Sequence, residues 1–153
     1  LHVSKQILAQ RSTFFEALFF GNFKESKQSE VEIEDVTVKE MLAILNIIYG
    51  LRIIQDETVE IVLKLADRFG MAAIQSDVEA FLLRKTSATL NEKLFLADQY
   101  RMPLLLDKCM NKLDSQGKIR ALRNEDKFDS LSPATVKELF DKLLKLKSCE
   151  HHN

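Results

Sequence analysis

The sequence predicts an α+β fold, predominantly α-helical, with a small sheet near its N-terminal end. Apolar residues recur at helical spacing in three windows: Met41, Ile44, Leu45 and Ile48; Leu106, Cys109, Met110 and Leu113; and Val136, Leu139, Phe140 and Leu143. Against this background Val31-Glu32-Ile33-Glu34 alternates apolar and charged residues, which predicts one short half-buried strand, and Val3 is placed to close another. A chain of 153 residues suits one domain, or one domain with a small appendage.

Start and stop signals bound the helices. Thr37 with Glu40 and Thr89 with Glu92 have capping-box spacing, and Val36 with Met41 is placed as a hydrophobic staple across the first. Ser132-Pro133 reads as a cap followed by a first-turn proline, whose missing N–H costs nothing there. Arg68-Phe69-Gly70 reads as a helix end, with a cation in the last turn. Gly21, Gly50, Gly70 and Gly117 are all expected at helix ends or turns. Pro103 falls between two helical patterns, and Lys118 to Asp129 is polar without a clear period.

One internal echo stands out. Leu65-Ala66-Asp67-Arg68-Phe69-Gly70-Met71 matches Leu96-Ala97-Asp98-Gln99-Tyr100-Arg101-Met102, with identical Leu, Ala, Asp and Met. Each copy precedes a second apolar-periodic helix, Ile74 to Leu83 and Leu104 to Leu113. The reading is either two helical hairpins in series or a chance likeness of two amphipathic helix ends. Two copies fall short of a solenoid, which needs about three, so they point to an appendage on another core.

Charge and motif content narrow the function. Lys and Arg total 22 against 23 Asp and Glu, a net charge of -1, which argues against nucleic acid as a partner. No run approaches the roughly 20 apolar residues that cross a bilayer, so no membrane partner is expected. Cys109 and Cys149 make no disulfide framework, which predicts reduced thiols and a cytoplasmic or nuclear protein. No glycine-rich phosphate loop, G-x-S-x-G, H-E-x-x-H or C-x-x-C occurs. His2, His151 and His152 lie at the chain ends, leaving no histidine in the body to act as a general base. Cys149-Glu150-His151-His152 offers metal-ligand types in a row but no second ligand pair. Lys137, Lys142, Lys145 and Lys147 are interrupted by Glu138 and Asp141 and backed by leucines, as on a solvated amphipathic helix. The expectation is a protein that is not an enzyme and takes no cofactor and no metal.

Aromatic crowding is more informative. Phe14, Phe15, Phe19, Phe20 and Phe23 are five of the 10 phenylalanines. Most should be core, because aromatic burial is worth much per residue. Phe23 sits between Gly21-Asn22 and a polar stretch, Lys24 to Glu30, so it is either tucked back into the core or presented to a partner.

Val3 to Phe15, then Leu18-Phe19, Phe23-Lys24-Glu25-Ser26, Val31 to Val36 and Ile47-Ile48-Tyr49-Gly50 together strongly resemble a BTB/POZ domain. The likeness runs on through the Leu-Ala-Asp hairpins to about Leu113, and is greatest to the MATH-and-BTB subclass, with the speckle-type POZ proteins as relatives. It implies a BTB/POZ fold over residues 1–85, a helical cluster with a small sheet. A helical box at 86–115 and a C-terminal helical extension at 116–153 would follow. In that family many members dimerise and many recruit a cullin scaffold to form a ubiquitin ligase. The resemblance therefore implies an adaptor that bridges a cullin to a substrate, which is ubiquitinated and degraded by the proteasome. Phe23-Lys24-Glu25 matches the hydrophobic-x-Glu motif of the cullin recruiters: Phe23 would enter a cullin pocket and Glu25 would order the loop. Ile7 matches a position at the dimer interface, and the partner there would be a second copy or another BTB protein. The alternative function is an oligomerisation scaffold without cullin. Where the family usually carries His before Lys at the first helix, this chain has Ser4, which can cap that helix instead. The likeness begins after the family's first strand and upstream dimerisation helix, and no MATH domain falls within the 153 residues. Leu1 in place of Met predicts that the natural chain continues upstream.

Overall fold

Ser4 begins the first helix as anticipated: its hydroxyl accepts from the Ile7 N–H at 3.4 Å. In the computed structural model, which describes residues 1–22, 24–84 and 86–150 (without the side chains of residues 25 and 148–150), nine α-helices follow in order. They are α1 (Lys5–Arg11), α2 (Thr13–Phe20), α3 (Val38–Ile48), α4 (Val59–Arg68), α5 (Ala72–Arg84), α6 (Leu90–Gln99), α7 (Pro103–Lys112), α8 (Gln116–Arg123) and α9 (Pro133–Glu150). The chain divides into two compact units, Leu1–Phe81 and Leu82–Asn153.

In the first unit, Leu8, Phe15, Ile44, Val62, Leu63, Leu65, Phe69 and Val78 are buried. Phe69 is the centre of an aromatic cluster, with ring centroids 4.9 Å from Phe15 and 5.2 Å from Phe14, while Phe19 stacks on Phe15 at 5.5 Å. The Thr37–Glu40 capping box forms at α3: the Thr37 N–H donates to Glu40 Oε2 at 2.9 Å and the Glu40 N–H to Thr37 Oγ1 at 3.2 Å.

The second unit is built on Leu94, Phe95, Ala97, Met102, Leu105, Met110, Leu113, Ile119, Leu122 and Leu139, all buried. The second capping box, Thr89 with Glu92, forms at α6. Pro103 opens α7, and Pro133 opens α9 with the Ser132 hydroxyl accepting from the Thr135 N–H at 3.4 Å.

Two expectations, the sheet and the place of Gly117, need correction. The sheet does not form among the described residues: Val31-Glu32-Ile33 and Leu1-His2-Val3 lie outside any strand. The alternation of Val31–Glu34 is real, with Val31 and Ile33 half-buried and Glu32 and Glu34 exposed, but a strand also needs a paired neighbour, and among the described residues no segment pairs with it. Gly117 is not at a helix end; it lies in the first turn of α8, because Ser115 caps two residues earlier by accepting from the Lys118 N–H. The polar segment from Lys118 contains most of that helix, with only Ile119 and Leu122 buried, too few to show a period. On α9, Leu139 is buried, but Val136 is 37% and Phe140 58% exposed, so the periodic stripe is covered on one side only.

Candidate docking face at the α1–α2 corner

Ser12 makes the corner. It ends α1 and caps α2, accepting from the Phe15 N–H at 3.0 Å. Its buried hydroxyl donates to the Phe69 carbonyl at the end of α4. Beside it the Thr13 and Phe14 N–H groups donate to the Gly70 and Phe69 carbonyls, each at 3.4 Å. The first turn of α2 is thus stitched to the last turn of α4, which fixes the direction in which α2 delivers the following loop.

Burial divides the aromatic run. Phe15 and Phe19 are core, while Phe14 is 39% and Phe20 59% exposed. Exposed aromatic surface next to a polar loop is a common mark of an interaction site. Phe20 lies off the helix face that Phe15, Leu18 and Phe19 share, which places it on the outer side of α2.

Of the residues matched to the cullin motif, Lys24 is exposed in the 3-10 turn Lys24–Lys27, whereas Phe23 and the Glu25 side chain lie outside the described residues. Ile7 is 36% exposed on α1, beside the buried Leu8. The Lys5 ammonium donates to the Gln28 carbonyl at 2.9 Å and lies 5.4 Å from the Phe19 ring centroid, tying the far end of the loop back to α1 and α2.

α3 contributes an open stripe. Val38, Leu42 and Tyr49 share one side of the helix and are 63%, 42% and 38% exposed. The Tyr49 hydroxyl accepts from the Ser4 N–H at 3.0 Å. Between α1, α2, α3 and the extended segment lies a groove of about 530 Å³, lined by Leu8, Phe15, Phe19, Val31, Ile33 and Met41 among others.

One ionisable group in the first unit serves the α3 cap. The Glu40 carboxyl is lowered to about 2 by the Thr37 N–H, the Thr37 hydroxyl and Lys64, whose ammonium is 3.2 Å away. No group of three or more His, Cys, Asp or Glu among the described residues is placed to hold a metal, and His151 and His152 lie outside them. No helix among the described residues is long and apolar enough to cross a membrane.

Comparison with known proteins fits this arrangement. The family profile of the BTB/POZ domain matches residues 1–86. The chain is 36% identical to BTB and MATH domain-containing protein 36 of Caenorhabditis elegans, over 95% of this chain and 46% of that protein. It is 34% identical to BTB and MATH domain-containing protein 38 of the same organism, over 95% of this chain and 38% of that protein. Kelch-like protein 28 of Homo sapiens is 34% identical over 54% of this chain and 14% of that protein. The chain therefore spans less than half the length of the curated relatives it matches. With a profile covering more than half of its residues and relatives named for the same domain, the chain belongs to the BTB/POZ domain family.

Proposed function

We propose that this chain is a non-catalytic adaptor that recruits a cullin scaffold through Phe23, Lys24 and Glu25, for ubiquitination and proteasomal degradation of a substrate held by another module. Membership of the BTB/POZ family supports interaction as the general role. The observation that carries the finer reading is the α1–α2 corner, where a helix fixed through Ser12 ends on the exposed Phe20 and leads into the hydrophobic-x-Glu loop with Lys24 exposed. Such an adaptor accelerates transfer by proximity alone, raising the effective concentration of substrate at the ligase.

Titration calorimetry of the chain against the N-terminal domain of a cullin tests this. Binding at micromolar or better, weakened about thirtyfold or more (about 2 kcal/mol or more) by Phe23→Ala with helix content unchanged, is the expected result. Undiminished binding by the folded variant would sink the reading.

A second reading rests on the open α3 stripe of Val38, Leu42 and Tyr49 together with Ile7: a dimerisation scaffold, homomeric or with another BTB protein, that binds no cullin. Light scattering on the same sample separates the two. A dimer that ignores cullin whether or not Phe23 is intact selects the scaffold.

A further inference from the structure

A second surface lies within Leu82–Asn153. A small cavity of about 80 Å³ has an apolar floor, with Leu82, Leu105 and Cys109 buried, and three lysines line it: Lys93 from α6, Lys108 and Lys112 from α7. Lys108 and Lys112 stand four residues apart on one helix face, where like charges repel.

The nearby acids are bonded elsewhere and form no ion pair with these lysines among the described residues. Glu92 is engaged in the capping box with Thr89, Asp107 accepts from Asn111 at 3.3 Å, and Asp114 pairs with Lys118 at 2.8 Å. Among the described residues no ion pair reaches Lys93, Lys108 or Lys112; the Lys108 ammonium donates to the Leu83 carbonyl at 3.1 Å, which holds it over the cavity. All three cations are felt at the Cys109 thiol: burial pushes it up, and Lys93, Lys112 and Lys108 pull it the other way.

In a chain of net charge -1 this is a local concentration of unpaired positive charge around an apolar hole. Water in such a hole hydrogen-bonds poorly to its apolar floor, so an aliphatic side chain gains by displacing it, while flanking carboxylates complement the lysines.

We propose that this cavity docks an acidic peptide segment of a partner protein, with one aliphatic side chain seated over Leu105 and Cys109 and carboxylates on Lys93, Lys108 and Lys112. The surface is separate from the Phe23 loop and does not depend on cullin recruitment.

The test uses the whole chain carrying Cys149→Ser and a short fluorescein-labelled peptide with a single Leu flanked by Glu and Asp, followed by fluorescence anisotropy. Expected are binding that falls with salt, at least tenfold loss in the Lys93→Gln/Lys112→Gln variant, and a similar loss when the peptide Leu is replaced by Ser. Absence of binding overturns the proposal. So does equal affinity for the Leu and Ser peptides, which would mark a counterion patch, or affinity unchanged in the double variant.

Discussion

The two Leu-Ala-Asp copies share one backbone and put it to different uses. In each, the helix ends in a Schellman-type pair of bonds: the Met71 N–H donates to the Ala66 carbonyl and the Met102 N–H to the Ala97 carbonyl, both at 2.8 Å. In each, the residue before the methionine is left-handed, Gly70 at φ 59° and Arg101 at φ 54°, and the methionine is buried. Each turn also receives the capped start of another helix. The first copy does so through main chain, with the Phe69 and Gly70 carbonyls taking the Ser12 hydroxyl and the Thr13 and Phe14 N–H groups. The second does so through a side chain: the Asp98 carboxylate accepts from the Ser132 N–H at 2.7 Å, and from the Ser132 and Thr135 hydroxyls at 2.6 Å each. Main-chain docking requires close approach and hence glycine. In the second copy the incoming helix is held by the Asp98 side chain, and the equivalent position is arginine.

Substituting the glycine should have the largest effect. A Cβ at Gly70 would collide with the Thr13 hydroxyl as well as strain a positive φ. Gly70→Ala should therefore cost about 3 kcal/mol, more than Arg101→Ala, whose backbone already bears the left-handed penalty. Urea unfolding of both variants reads the difference, and equal costs would break the comparison.

Asp98→Ala comes next. It leaves the Ser132 and Thr135 hydroxyls without their acceptor and should cost about 2 kcal/mol, more than Asp67→Ala. The pH dependence sharpens this. Burial pushes the Asp98 carboxyl up, but bonds from the Ser132 and Thr135 side chains and the Ser132 N–H outweigh it, so the group sits below its ordinary value. A carboxyl lowered in the folded state stabilises above its unfolded pKa, and that stabilisation disappears as pH falls through the folded value. Unfolding of Asp98→Ala should thus depend less on pH below about 4 than unfolding of the natural chain. A parallel slope would remove Asp98 from its assigned role.

Arg101→Gly should have a small effect of the opposite sign, a stabilisation of about 0.5 kcal/mol, because relief of the positive φ outweighs the added freedom of the unfolded chain. Destabilisation in thermal or urea melts would mean that the arginine side chain contributes more than its backbone costs.

These differences show what a sequence can carry. Both capping boxes, the Ser132-Pro133 start, the Ser4 cap and the echoed turns were legible because each depends on residues within a few positions of one another. Asp67 and Asp98 could not be told apart, since the partners of Asp98 lie 34 to 37 residues away and no local pattern announces them. The strand at Val31 was misread for the same reason: alternation is local, whereas pairing is not. Phe23, Lys24, Glu25 and Ile7 were legible only through resemblance, and Phe20, Lys93, Lys108 and Lys112 became candidates once burial had sorted residues of one type into covered and open.

Ser12 has a further consequence, for motion. Its hydroxyl is bonded at once to the Phe15 amide and the Phe69 carbonyl, and the two amides between, Thr13 and Phe14, are bonded to the same turn of α4. Opening any one of these bonds pulls α2 off that turn and strips cover from the others. The corner should therefore open as a single cooperative step rather than by fraying from the end of α1, with hydrogen exchange at these three amides following one rate.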